Sequence, residues 1–211
     1  MQNVLWDAGL SAANTGLPDA GQLVRRYLGL TEPRETWAFR TYDASRRRSD
    51  GRVDDDDLLA ASSLGARLTR RDLEHFDRCR DLVEARLAAI PTSTSLRDAS
   101  NKQLTDVSDL LLGTDLEPTL LAKIVHRARP RLIPPYDRAT SDLYAGATGR
   151  RAAGRLPDLL FAMRADLQIP ANVRALTGFQ QQIIAETDGG FVPSQLRIFD
   201  IAVWMSTVGR R

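Results

Sequence analysis

A mainly α-helical, compact domain is the fold class this chain predicts, with at most one short strand pair near residues 37–53. Three observations carry that expectation. Apolar residues recur at helical spacing through most of the 211 positions. Prolines and Ser, Thr or Asp residues stand where helices start, and glycines or prolines stand where they stop. Alternation of the strand kind is confined to Trp37–Asp43.

Taken in order, residues 1–19 are small and polar and are expected to be partly disordered. Asp19 is placed to cap a short helix, AGQLVRRYLGL, closed by Gly29. The segment WAFRTYD puts Trp37, Phe39 and Thr41 on one side and Ala38, Arg40 and Tyr42 on the other, which predicts a strand or extended arm. SRRRSDGRV follows as a turn around Asp50-Gly51. The four aspartates 54–57 suit the first turn of a helix, where carboxylates meet the positive end of the dipole. Thr69 and Asp72 open a helix that runs through Ile90, with Leu73, Phe76, Leu82 and Leu87 among its apolar positions. Pro91 ends it, and PTSTS links an N-terminal part, residues 1–95, to a helical core, residues 96–211.

The centre of that core is residues 110–138. Gly113 stops the apolar run 104–112, and Thr114 and Glu117 have capping-box spacing ahead of Pro118. A helix is predicted from about Glu117 to Ala128. Its apolar side carries Leu120, Leu121, Ile124, Val125 and Ala128, and its polar side Thr119, Lys123, His126 and Arg127. Pro130 ends it, Pro134 and Pro135 force an extended segment, and Asp137 caps the next helix from near Arg138. That bend turns Asp137 back towards the helix bearing Lys123, so an amine and a carboxylate face one cleft. Residues 144–154 read as a loop or frayed helix. Helices follow at 157–168 and 171–186, and Ser194 caps a last one, SQLRIFDIAVWMSTV, apolar nearly all round and therefore buried. Arg197, Asp200 and Trp204 share its one polar edge, Arg197 and Asp200 at the spacing of a structural bridge.

Composition narrows the function classes. Hydrophobic residues at 43% and charged residues at 27% belong to a globular protein of one domain, or one domain with a small appendage. One cysteine, Cys79, excludes a disulfide framework and paired-cysteine zinc sites, and two histidines argue against a histidine-rich metal site. No metal or cofactor is implied: phosphate-loop, dinucleotide and nucleophile-elbow motifs are all missing. The start lacks a basic segment followed by an apolar one, and no apolar run is long enough to span a membrane, so a cytoplasmic protein is expected. Net charge is only +2, but residues 121–155 hold eight Lys and Arg against two Asp and Glu. Lys123 is one of two lysines in a chain that otherwise uses arginine.

The strings LLAKIVHRARPRLIPPYDR, DDDDLLAASSLGA and LRIFDIAVWM resemble an uncharacterised actinobacterial family of about this length. More distantly, a lysine-bearing helix, a proline-containing extended turn and an aspartate opening a helix are similar to helix-hairpin-helix DNA glycosylases of the 8-oxoguanine glycosylase-like fold. Gly113 alone stands where that hairpin carries Gly-x-Gly. The resemblance implies a helix-hairpin-helix-like element, a Schiff-base role for Lys123 and a catalytic carboxylate at Asp137. It also implies DNA as partner, with a base flipped into the pocket. His126, Arg127, Arg129, Arg131, Arg138, Arg150 and Arg151 would then track phosphates. Such a lysine starts near pKa ~10.4 and needs that value lowered by roughly 2–3 to act at pH 7. Burial and neighbouring arginines push that way, and Asp137 pushes back. Two alternatives stay open: a non-catalytic helical module binding DNA or a protein, and a small-molecule-binding regulatory protein with its pocket under the last helix, around Arg197 and Asp200.

Overall fold

Ala13 and Asn14 both take the left-handed conformation (φ 52° and 61°), which lets the chain reverse within two residues. The result is an antiparallel hairpin of β1 (Leu10–Ala12) and β2 (Thr15–Leu17), with Leu10 opposite Leu17. It lies in the segment expected to be partly disordered. What orders it is distant in sequence: Ala13 N donates to Asp166 Oδ2 at 2.7 Å, and Asn172 pairs with both the N–H and the carbonyl of Ser11. The computed structural model describes residues 9–31, 39–44, 51–148 and 156–208, and within these it is mainly helical.

The first helix, α1 (Ala20–Tyr27), starts differently from the expectation: Asp19 sits at φ 60° and makes no side-chain cap. Gly29, at φ 70°, terminates it as predicted. The predicted strand at 37–43 is corrected where it is described: Phe39–Asp43 is a single π-helical turn, and residues 32–38 lie outside the described set. The physical reason is burial. Tyr42 and Asp43 are neighbours and both point inward, whereas successive side chains of a strand point to opposite faces. Among the described residues the only strand pair is therefore the 10–17 hairpin.

Helix starts follow the sequence closely. Asp54 caps α2 (Asp55–Ser62) in a capping box with Asp57, and Thr69 does the same for α3 (Arg70–Ala88) with Asp72. Ser100 and Gln103 form a third box at α4 (Asn101–Leu112). At α5 (Pro118–Ala128) the cap is Glu117 itself, accepting from Leu120 N. The expected Thr114–Glu117 box does not form, since Thr114 Oγ1 serves Leu116 N instead. Asp137 Oδ1 accepts from Thr140 N at 2.8 Å and so opens α6 (Arg138–Thr148), which continues as helix into the span expected to be loop or frayed. The last three helices are α7 (Leu156–Gln168), α8 (Pro170–Glu186) and α9 (Gln195–Val208).

In α3, Phe76, Val83 and Leu87 face inward, while Leu73 and Leu82, also among its apolar positions, are each 44% exposed. The buried helix predicted at the C-terminus is borne out: α9 runs through the middle, packed along α1, α6 and α8. One hydrophobic cluster joins Leu10 at one end of the chain to Met205 at the other, drawing on both sides of the linker near residue 95. No helix among the described residues is long and apolar enough to cross a membrane.

Candidate functional site

Five segments meet around one cavity of about 190 Å³, with α1 contributing Tyr27. Lys123 comes from the middle of α5, Pro135 and Asp137 from the extended segment after it, and Arg197, Asp200, Ile201 and Trp204 from one face of α9. Ser63, Leu64 and Gly65 close it from the end of α2. Gly65 sits at φ 77°, a conformation only glycine adopts freely, and so lets the chain turn sharply at the cavity's edge. The double-proline bend returns the chain to α5, and the two side chains singled out from the sequence line the same cavity.

Lys123 is 7% exposed, and its Nζ donates to the Leu64 carbonyl at 2.9 Å. An ammonium carries three donors, so this bond leaves two N–H groups for an occupant of the cavity. Burial lowers the Lys123 pKa below the ordinary lysine value, against the opposing charges of Asp137, Glu117 and Asp200. The balance left open by the sequence therefore falls on the side of a more reactive amine.

Arg197 organises the floor. Its Nε and Nη2 bond both oxygens of Asp43 at 2.8 Å, Nη2 also reaches the Tyr27 hydroxyl at 2.7 Å, and Nη1 bonds Asp200 Oδ2 at 2.5 Å. The fork-to-fork geometry makes Asp43 the guanidinium's true counter-ion. Burial pushes the Asp43 carboxyl up, but the charge and hydrogen bonds of Arg197, with the Tyr27 hydroxyl, more than offset this and hold it below its usual value. Asp200 is the surplus acid. Burial pushes it up to about 7, Arg197 opposes, and the nearby charges of Asp137 and Asp43 add to the rise. Its Oδ1 has no hydrogen-bond partner among the described residues. A lysine shifted down and a carboxyl shifted up thus line one concavity.

The structure separates the remaining candidates. His126 is fully buried, its Nδ1 donating to the Ile133 carbonyl at 2.6 Å, with its ring stacked on Tyr42. Arg127 bonds Asp57 and the Tyr42 carbonyl. Arg129 donates to the carbonyls of Gly51 and Leu87. The polar face expected for α5 is thus a buried one, because α2 and the π turn cover it. His126, Arg127 and Arg129 are spent on protein partners and present no charge to a phosphate. Arg131 and Arg138 are exposed. Arg150 and Arg151 lie outside the described residues.

Tyr27 and Asp43, which hold Arg197 in place, were not legible as site residues; no spacing rule links them to position 197. Arg197 and Asp200 were read as a structural bridge, and they form one while also lining the cavity. No group of three His, Cys, Asp or Glu side chains converges as a metal-binding set among the described residues.

A model of a family of unknown function, DUF6308, matches residues 20–207. The chain belongs to this family. The match covers every described element from α1 to the body of α9, including all residues around the cavity. No curated protein and no solved structure gives a match, so the likeness to helix-hairpin-helix glycosylases has no support from these comparisons.

Proposed function

We propose that this member of the family takes a small molecule of about one ring in size into the cavity between α5 and α9. Lys123 acts on it as an amine, with Asp137 and Asp200 as its acid–base partners. The observation that carries the proposal is the burial of Lys123 Nζ in a cavity with one protein partner and two carboxyls beside it. Size supports the small-ligand class. A volume of about 190 Å³ is below the ~300–1,000 Å³ of pockets for drug-sized ligands, yet above the ~150 Å³ that admits benzene.

The chemistry suited to such a lysine is attack on an electrophilic carbonyl carbon. The neutral amine forms the C–N bond, and the carbonyl oxygen takes a proton from Asp200. A second proton, passed from nitrogen through a carboxylate, lets that oxygen leave as water and completes the imine. Base excision from DNA is a related reaction: the amine bonds to the sugar's anomeric carbon as the bond to the base breaks, the base leaves with a proton from a carboxyl, and ring opening gives the imine. It would use the same Lys123 and Asp137, and of the arginines singled out from the sequence Arg131 and Arg138 are the exposed ones among the described residues.

Having only two lysines makes the test sharp. The protein is incubated at pH 7 with benzaldehyde and cyanoborohydride, and the modified lysine is mapped by peptide mass. Lys123 is expected to be alkylated ahead of Lys102, whose side chain is 83% exposed and serves as internal control. Lys102 modified with Lys123 untouched overturns the proposal. A parallel arm with duplex DNA carrying an abasic site reads the nucleic-acid reaction: a borohydride-trapped adduct lost in Lys123→Ala supports it.

A further inference from the structure

A second cavity, of about 490 Å³, opens on another part of the molecule, between the α3–α4 loop, the start of the extended segment after α5, and the N-terminal end of α9. We infer that it is a binding site for an amphipathic anion, a carboxylate or phosphate ester on an apolar body, held by Arg97 and Arg131. The inference is independent of the Lys123 chemistry.

Its walls are built before any ligand arrives. Leu96 N donates to the Arg131 carbonyl at 2.7 Å, which ties the α3–α4 loop to the extended segment and sets the two arginines on one wall. Ser194 Oγ donates to the Pro130 carbonyl at 2.5 Å, and Gln180 Nε2 to the Pro193 carbonyl at 2.7 Å, which fixes the N-terminal end of α9 against the same segment. Leu167 and Leu196 are 4% and 3% exposed and give the cavity an apolar floor. The volume lies within the ~300–1,000 Å³ of small-molecule sites.

The arginines are what the fold does not need. Arg127 and Arg197 are held by buried carboxylates, and Arg129 gives both terminal nitrogens to backbone carbonyls. Arg131, a few residues along the same stretch, is exposed, and its guanidinium makes no hydrogen bond or ion pair with the described residues. Arg97 pairs only with its neighbour Asp98 at 3.2 Å, in an exposed bridge of the weak kind. Two guanidiniums against one carboxylate leave one uncompensated positive charge beside a hollow lined by polar and apolar groups alike. A guanidinium fork matches carboxylate and phosphate oxygens alike. The hollow beyond it selects for a ligand with an apolar body over a bare ion.

The full chain is titrated with benzoate, phenyl phosphate and benzyl alcohol, followed by calorimetry and amide chemical shifts. One or both anions should bind saturably, with shifts at residues 95–97, 130–131 and 192–196, and benzyl alcohol about tenfold or more weaker. Which anion binds tighter distinguishes a carboxylate from a phosphate ligand. Arg131→Gln, at an exposed position, should weaken the anions about tenfold; Arg97→Gln should weaken them further, while Lys123→Ala leaves them unchanged. Equal affinity for benzyl alcohol, anion binding that survives both arginine substitutions, or the absence of saturable binding by either anion would overturn the inference.

Discussion

Arg127 Nε and Asp57 Oδ1, seventy positions apart, meet at 2.5 Å with their side chains 1% and 4% exposed. This pair fastens α5 to α2 and removes from the surface a guanidinium that the local sequence marks as basic and solvated. Breaking it from one side leaves a buried charge without its partner. Arg127→Met is therefore expected to destabilise the protein by about 3–5 kcal/mol in urea unfolding, and Arg127→Met with Asp57→Leu to recover most of that loss. A single variant as stable as wild type would show that the pair does not hold these helices together.

Gly51 and Arg129 set a second, sharper test. Gly51 adopts φ 71°, and a Cβ added there would collide with the Arg129 guanidinium, which donates to the Gly51 carbonyl at 3.0 Å. Gly51→Ala should cost about 1–3 kcal/mol through left-handed strain and displacement of that side chain. Arg129→Lys should cost a similar amount, because one ammonium cannot reproduce a planar fork reaching both Gly51 and Leu87. Thermal unfolding measures both.

Asp200 makes stability depend on pH in a definite direction. Its carboxyl is pushed up to about 7 from the ordinary 3.8, so between those values the folded chain holds a proton that the unfolded chain has lost. Stability contributed by this group falls as pH rises across that window and is level above it. Asp200→Asn removes the effect. The variant's melting temperature relative to wild type should therefore be higher at pH 8 than at pH 5, and a pH-independent difference would refute the assignment of the surplus proton to Asp200.

For Lys123 the sign is the reverse in charge but the logic is the same. Burial disfavours its ammonium, so the folded state is penalised while the amine is protonated and relieved as pH rises towards the ordinary lysine range. Lys123→Met, an apolar side chain of similar length, should leave stability at pH 7 unchanged or raise it by about 1 kcal/mol, with the advantage shrinking in alkali. It should at the same time abolish trapping of carbonyl compounds. A large loss of stability would mean that Lys123 is held for structure instead of for an occupant of the cavity.

What could be read without coordinates is what neighbours in the chain decide. Thr69 with Asp72, Asp54 at the head of its acidic run, Pro118 in a first turn and Asp137 before α6 all act within four residues, and all stand where the spacing put them. The concavity shared by Lys123 and Asp137 was legible for the same reason, since prolines 130, 134 and 135 leave the chain few ways to go between them. The segment 37–43 misled because alternation over so few residues does not distinguish a strand from one helical turn packed on both flanks.

The chain by itself determined where helices start and stop and that the last one is buried, because backbone hydrogen bonding and capping are local. Tertiary structure alone decided which charges face water. Arg127, Arg129 and Arg197 look alike from their neighbours, yet their partners Asp57, Leu87 and Asp43 lie 70, 42 and 154 positions away. A buried charge is tolerated only where such a partner arrives, and that encounter is set by how the helices pack, through contacts that no local pattern encodes.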